Sequence, residues 1–233
     1  MKININIIYI VVLFISTSTF SQDIGAERGV PQIHAFGQLG RTSTTKNNLG
    51  TQSTNLVQAK IYYFPTYNNK GSIITATGRK YSIANINFNI YSNNFDSKMS
   101  PDSIYVFDNN QIKSVEVNNK MFKTYFNSEE SKNKIYQVIY EGDNITLLRK
   151  DKIVYKEVRD PLNINEPKAS YTKVTNYYVK KADNIKKIVL KKKSMLRFFN
   201  NEKNIVADYA KKNNLSFKKE RDVSIILKYY NSL

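Results

Sequence analysis

The chain has 233 residues, a formal net charge of +17 and no cysteine. Without cysteine it cannot form disulfides, use a thiolate nucleophile, bind metal through cysteine or carry the acylated cysteine of a lipoprotein. Apolar residues make up 41% of the chain and aromatic residues 12%, which is enough to fill a core, so the composition predicts a folded protein.

Residues 1–21 have the features of a cleaved signal peptide. Lys2 supplies a positive charge, residues 7–15 form an apolar run, and Thr19 and Ser21 are small residues at the positions that precede a cleavage site. The run of nine residues is too short for a membrane span, which needs roughly 20. We therefore expect cleavage after Ser21, a mature chain without a transmembrane span, and a secreted or periplasmic location.

Residues 22–55 are rich in Gly, Ser, Thr, Gln and Asn without helical or strand periodicity, which predicts a flexible polar arm. This arm contains His34, the only histidine of the chain. A Ser-His-Asp triad would have to use His34, and no G-x-S-x-G or H-E-x-x-H motif accompanies it. The sequence therefore predicts a non-enzymatic protein without cofactors, and a hydrolase that uses two carboxylates in a cleft stays open as an alternative.

Residues 56–190 carry short runs of β-branched and aromatic residues between Asn, Asp, Gly and Lys, which is typical of an antiparallel sheet. Asn118-Asn119 fits a type I′ hairpin, and residues 141–144 and 150–152 are further predicted turns of a meander. Pro161 and Pro167 bracket a predicted loop. The predicted strands are residues 57–64, 72–77, 81–91, 103–107, 112–117, 121–126, 134–140, 145–150, 153–158 and 171–180.

The strand predicted at residues 81–91 has the clearest alternation. Ile86, Phe88 and Ile90 alternate with asparagines, so one face of this strand is expected to pack and the other to meet water.

In residues 191–233 the apolar spacing changes to about 3.6, which predicts helices packed with the β domain. The first helix is expected to begin after Asn200 or Asn201 and to end near Asn213, and Ser216 is the expected N-cap of the second. The predicted buried face of the second helix is Val223, Ile226, Leu227 and Tyr230. The predicted fold class is α+β, a mainly antiparallel meander of short strands followed by two C-terminal helices.

Several stretches of the chain resemble known proteins. SKNKIYQVIYEGDNITLLRKDK, SYTKVTNYYVKK and KKKSMLRFFNNEKNIVADYAKKNNLSFKKERDVSIILKYYNSL resemble the C-terminal region of uncharacterised secreted proteins common in flavobacteria and their relatives. With the upstream stretch NINFNIYSNNFDSKMSPDSIYVF, the resemblance covers roughly residues 80–233. It implies kinship in fold and in export, and it carries over no catalytic residue.

The strongest signal for a partner is a basic segment. Residues 180–233 hold fifteen Lys or Arg and five acidic residues, so more than half of the net charge lies in the last quarter of the chain. Within it, Lys191, Lys192, Lys193 and Arg197 form a candidate anion-binding site. A solvated, lysine-rich surface that reflects codon composition is the alternative reading.

These features predict a secreted or envelope-associated, non-enzymatic protein that binds an anionic envelope component. A partner-dependent accessory protein that docks another secreted chain is the alternative. Nucleic acid is not expected as the partner, because the chain has no RNP, KH or helix-turn-helix signature.

Overall fold

The computed structural model describes residues 39–44, 61–128, 130–160 and 163–233, which form two antiparallel sheets followed by helices. The helices are α1 (Lys192–Met195), α2 (Lys203–Lys212) and α3 (Glu220–Tyr230). The strands are β1 (Gly40–Thr44), β2 (Gly71–Thr75), β3 (Lys80–Ile83), β4 (Ile86–Asn89), β5 (Asn94–Ser100), β6 (Ser103–Phe107), β7 (Ile112–Val117), β8 (Lys120–Asn127), β9 (Lys132–Tyr140), β10 (Thr146–Asp160), β11 (Asn163–Lys181) and β12 (Asn184–Ile188).

The two sheets differ in size. The smaller sheet has four strands in the order β1-β6-β5-β4, and the larger has eight in the order β12-β11-β10-β9-β8-β7-β2-β3. Strands β7 to β10 follow one another in both sequence and space, which is the predicted meander. The predicted α+β class, mainly antiparallel β with two C-terminal helices beyond the single turn of α1, is confirmed.

The first hydrophobic core lies between the two sheets. Phe88 of β4, Phe95 of β5 and Phe122 of β8 pack with their ring centroids 4.9 to 5.4 Å apart. Ile73 of β2 and Val115 of β7 are buried in the same cluster. Each fully buried side chain of this size contributes roughly 1.5–3 kcal/mol, so these contacts hold the smaller sheet on the larger one.

The second hydrophobic core lies between the helices and strands β9 to β12. Phe199 packs on Tyr230 with ring centroids 4.8 Å apart, and Tyr209 of α2 stacks on Tyr229 of α3 at 3.9 Å. The other buried members include the predicted face of α3 and come from strands and helices alike: Ile145, Leu147, Val179, Ile188, Leu190, Met195, Val206, Ala210, Phe217, Val223, Ile226 and Leu227.

Both cores lie on the same face of the larger sheet. Along β9, Ile135 is buried in the first core; Gln137, two residues later, pairs with Arg149 of β10, and Leu147, two residues before Arg149, is buried in the second core. Residues separated by an even number point to the same side of a strand, so the smaller sheet and the helices lie side by side. Between them, the buried side chain of Gln137 accepts a hydrogen bond from the Tyr63 hydroxyl at 2.9 Å.

Strands β10 and β11 form a long hairpin that extends beyond its neighbours. They pair from Thr146↔Lys180 to Val158↔Lys168 and meet again at Asp160↔Asn163. Strand β9 pairs only with residues 147–149 of β10, and β12 pairs only with residues 177–181 of β11. The rest of the hairpin is therefore a two-stranded ribbon.

Two predictions in this hairpin were wrong. The predicted turn at residues 150–152 is continuous strand within β10, because Asp151 is a buried ion-pair partner and not a turn residue. The loop predicted between Pro161 and Pro167 is largely strand, since β11 begins at Asn163. Pro167 falls where the register shifts, so the missing proline N–H interrupts no regular ladder.

Some of the other predicted strands agree with the structure and some do not. The strands predicted at residues 103–107 and 112–117 are confirmed, and Asn118 and Asn119 form the predicted hairpin with φ of 49° and 59°. The strand predicted at 81–91 is two strands, because Asn85 adopts a φ of 52° between them. The sequence did not predict β1, β5 or β12, which are short or rich in polar residues.

The structure describes little of the chain on either side of β1. Residues 1–38, which include the predicted signal peptide and His34, and residues 45–60 are not described, and Gly40–Thr44 of the predicted arm pairs with β6. Of the strand predicted at 57–64, the described part forms only an isolated bridge, Tyr62↔Asn89.

The helix starts differ from those predicted. The residue before α2 is Glu202 and the residue before α3 is Lys219, and neither forms a side-chain cap. Ser216 lies further upstream, where its backbone N–H donates to Asp222 and its hydroxyl accepts from the backbone of Lys218. Within the described ranges, no helix combines the length and apolar character that a membrane crossing requires.

Candidate functional site

The four predicted anion-binding residues lie on or beside α1. Lys191, Lys192 and Lys193 are exposed at the start of α1, on its solvent side. Arg197 is also exposed, but it lies in the 3₁₀ turn that follows α1 and faces a groove along β12. Of these four residues, Arg197 is the one that lines this groove.

This groove is lined by a compact set of cations. Lys186 and Lys187 of β12 line, with Arg197 and Phe198, a space of about 600 Å³. An adjoining space of about 320 Å³ is lined by Lys181, Lys186, Arg197 and Phe198. We call Lys181, Lys186, Lys187, Arg197 and Phe198 the β12 groove; of the described residues that line it, none is acidic.

Buried neighbours fix the groove's wall. Met195 and Phe199 are both fully buried in the second core, so Arg197, midway between them, is held on the outer side of the turn. Lys181 donates hydrogen bonds from its ammonium group to the carbonyl of Phe198 at 3.4 Å and to the side chain of Asn200 at 3.2 Å. These two contacts connect β11 with the segment that follows α1.

The charges of the groove have little internal compensation. In the part of the chain that the structure describes, Lys186, Lys187 and Arg197 form no salt bridge. Cations that converge without a carboxylate repel one another and concentrate counter-anions from solution. The groove is thus suited to phosphate, sulfate or carboxylate groups, and the guanidinium of Arg197 can bind such a group in a bidentate manner.

A second charged cluster lies between the two cores. Arg149 of β10 donates to both carboxylate oxygens of Asp151, at 3.0 and 2.9 Å, and to Glu220 of α3 at 3.1 Å. Thr175 of β11 donates to Asp151 at 2.8 Å, and the hydroxyl of Tyr177 donates to Glu220. Through Glu220, the cluster joins α3 to strands β10 and β11.

The cluster's protonation is set by its partners. Burial alone disfavours the cation of Arg149, but hydrogen bonding with Asp151 and the charges of Asp151 and Glu220 raise its pKa above the usual value. Burial and then the hydrogen bond to Glu220 raise the pKa of Tyr177 to about 12. Arg149 therefore stays charged and Tyr177 stays neutral at neutral pH, which fits a structural role for the cluster.

One carboxyl group has an unusual environment. Asp96 of β5 is 1% exposed and accepts hydrogen bonds from the hydroxyls of Tyr67 at 2.7 Å and Tyr62 at 3.2 Å. Burial raises the pKa of Asp96 to about 7, although both tyrosine hydrogen bonds lower it. Asn87 on the same side of the smaller sheet is also buried and bonds to the backbone of Phe64, so the expectation that this face meets water was wrong.

The described residues contain no group of three or more His, Cys, Asp or Glu side chains arranged to hold a metal ion. The hydrolase alternative needs two carboxylates in a cleft. Glu130 and Asp151 both line a cleft beside β10, and each is ion-paired with Lys or Arg.

Sequence reasoning missed the most useful residues of the groove. Lys181, Lys186 and Lys187 belong to the basic segment but do not stand in an unbroken run, and only the pairing of β12 with β11 brings them to Arg197. The signal present in the sequence was the pair Lys186-Lys187 eleven and ten residues before Arg197.

Comparison of the chain with protein-family models, curated proteins and solved structures gives no match. The functional argument therefore rests on the geometry of the site.

Proposed function

We propose that this protein is an exported, non-enzymatic protein that binds an anionic component of the cell envelope through the β12 groove. The observation that carries the proposal is the convergence of Lys181, Lys186, Lys187 and Arg197 on one groove whose described lining contains no acid. Export rests on the predicted signal peptide, and the absence of a catalytic role rests on the residue inventory of the sequence.

The groove also offers apolar contact. Phe198 lines both of its spaces, and the neighbouring Val189 is 57% exposed. Lys191, Lys192 and Lys193 lie just beyond the groove and add to the local positive potential without lining it. A ligand with an anionic group and an apolar portion therefore fits this surface better than a free inorganic ion.

A second candidate function comes from the position of β12. This strand is an edge of the larger sheet, and an exposed edge can add a strand from another protein. Lysines on an edge strand also discourage such pairing, so Lys186 and Lys187 are consistent with simple protection against aggregation. The partner-dependent accessory role and the anion-binding role are therefore separable by experiment.

The test is a triple variant in which Lys186, Lys187 and Arg197 are changed to Gln. Three exposed ionic contacts of roughly 0.5 kcal/mol each predict about a tenfold weaker binding to isolated envelopes in a sedimentation titration. A matched control changes three exposed cations, Arg79 and Lys80 at the opposite edge of the larger sheet and Lys98 in the smaller sheet, and it should bind as the parent protein does.

Two outcomes would contradict the proposal. Equal loss in both triple variants would show that only total charge matters. If instead the groove variant binds normally but elutes as aggregates in size-exclusion chromatography, the lysines protect the edge and bind no ligand. Changing Lys191, Lys192 and Lys193 to Gln should have a smaller effect than the groove variant, because these side chains do not line the groove.

A further inference from the structure

The face of the larger sheet opposite the two cores carries alternating lysines and tyrosines. The register places Tyr125 opposite Lys134, and Lys123 opposite Tyr136, on strands β8 and β9. On the neighbouring strands Tyr178 lies opposite Lys187. We call this surface the lysine–tyrosine face; its members are Lys123, Tyr125, Lys134, Tyr136, Lys150, Lys152, Tyr178, Lys180 and Lys187.

The aromatic rings of this face form a row, and the lysines lie over them. Tyr136 contacts Tyr178 with ring centroids 5.3 Å apart and Tyr125 with centroids 6.2 Å apart. The ammonium of Lys150 lies 5.7 Å from the ring of Tyr136, and that of Lys180 lies 5.5 Å from the ring of Tyr125. Tyr136 is fully buried, so it supports Tyr125 and Tyr178 from below, and these two half-buried rings are the ones that a ligand can reach.

A cleft opens in this face where β10 leaves β9. Strand β9 pairs with β10 only over residues 137–140, and beyond that point the side chain of Asn93 hydrogen-bonds the backbone N–H and carbonyl of Ile135 in place of a strand partner. The resulting cleft has a volume of about 300 Å³, and the lysines that line it are Lys134, Lys150, Lys152 and Lys187.

The cleft has more positive than negative charge. Glu130 forms salt bridges with Lys134 at 2.6 Å and Lys150 at 3.0 Å, and its hydrogen bond with Lys134 is the main cause that lowers its pKa to about 2. The other acid, Asp151, directs its carboxylate to Arg149 on the opposite face. In the described part of the chain Lys152 and Lys187 form no salt bridge, so the cleft can take further negative charge.

An aromatic recess adjoins the cleft. It has a volume of about 280 Å³, and its lining includes the rings of Tyr125, Phe126 and Tyr178, the cation Lys180 and one acid, Asp183. Phe126 is 61% exposed, which is unusual for a large apolar side chain. Tyr178 lines both the recess and the cleft, and Lys187 lines both the cleft and the β12 groove. Recess, cleft and groove are therefore contiguous around the edge strand.

We propose that this contiguous surface binds an acidic polysaccharide, a chain of sugar rings that carry carboxylate or sulfate groups. The proposal rests on the proposed function and names its ligand class. Sugar rings have apolar C–H faces that pack on aromatic rings, and their acidic groups pair with ammonium groups. A surface that alternates rings and lysines over three adjoining depressions matches an extended polymer with both properties.

The experiment is a titration of the purified full chain with a polyuronate oligosaccharide, with linear polyphosphate of equal charge and with a neutral glucan as the comparison probes. The parent protein should bind the polyuronate more tightly than the polyphosphate, and it should not bind the glucan. Phe126→Ala should weaken polyuronate binding about fivefold, through the loss of one ring contact, and leave polyphosphate binding unchanged. Because Phe126 is exposed, this variant is expected to fold.

Two more variants complete the design. Lys152→Gln removes one cleft cation and should weaken binding of both anions about threefold. Tyr155→Ala, at an aromatic residue that is 49% exposed on the ribbon, is the control and should bind like the parent protein. Equal affinity for polyuronate and polyphosphate together with no effect of Phe126→Ala would overturn the proposal.

These measurements distinguish failure of the acidic-polysaccharide proposal from failure of the proposed anion-binding function. If the protein binds envelopes through the β12 groove but not the polyuronate, the ligand class is wrong and the anion-binding function stands. If neither envelopes nor any polyanion binds, both proposals fail.

Discussion

Replacing Asp151 with Asn is expected to lower the free energy of unfolding by about 3–5 kcal/mol, the range for breaking a buried ion pair. The side chain of Asp151 is 1% exposed and receives two hydrogen bonds from Arg149 and one from Thr175. Without the carboxylate, the guanidinium of Arg149 stays partly buried beside a neutral amide. Urea unfolding, followed by circular dichroism, measures the change.

Two further variants test this explanation. The double change Arg149→Met with Asp151→Leu removes both charges, so it should recover much of the lost stability. Glu220→Gln should cost less than Asp151→Asn, because the side chain of Glu220 is 31% exposed and water compensates for the lost charge. If Asp151→Asn costs less than about 1 kcal/mol, a typical hydrogen bond, the cluster does not hold α3 on the sheet as we describe.

Replacing Asp96 with Asn is expected to stabilise the protein at pH 8 and to change little at pH 4. The pKa of Asp96 is raised from its ordinary 3.8 to about 7 by burial, so the folded state holds this proton more tightly than the unfolded state does. The contribution of Asp96 to stability is therefore full below about pH 4 and is lost as the pH rises through 7. A shift of this size corresponds to ~4 kcal/mol as an order of magnitude.

The measurement is the difference in unfolding free energy between variant and parent at several pH values from 4 to 8. This difference cancels the titration of the other carboxyl groups that the two proteins share. We expect the variant to gain stability steadily with rising pH and then to reach a plateau above pH 7. A difference that is the same at pH 4 and pH 8 would show that Asp96 titrates normally.

Local patterns predicted the elements whose own residues determine them. The buried face of α3, the hairpin at Asn118-Asn119 and the strands β6 and β7 depend on apolar spacing and turn chemistry, which a sequence displays. Strand β12 depends on pairing with β11, and β10 runs through Asp151 because Arg149 and Thr175 surround that residue in space. Such partners are distant along the chain, so no local pattern could reveal them.

The candidate site was predictable only in its charge. The composition of residues 180–233 located the basic region, but Lys191, Lys192 and Lys193, its most conspicuous run, point to solvent. The lysines that line the groove with Arg197 come from β12, and Tyr125, Tyr136 and Tyr178 come together only through the register of β8 to β11. A position in a sheet, which sequence spacing alone does not determine, thus decides which cations and rings share a surface.

The most direct test of the central proposal is co-sedimentation of the purified protein with isolated cell envelopes at low and at high salt. Exposed charges interact over about 10 Å at 0.1 M salt and about 3 Å at 1 M, so binding through the β12 groove should be strong at low salt and largely lost at high salt. Failure to bind at low salt, or binding that persists unchanged at 1 M, would contradict an electrostatic role for Lys181, Lys186, Lys187 and Arg197.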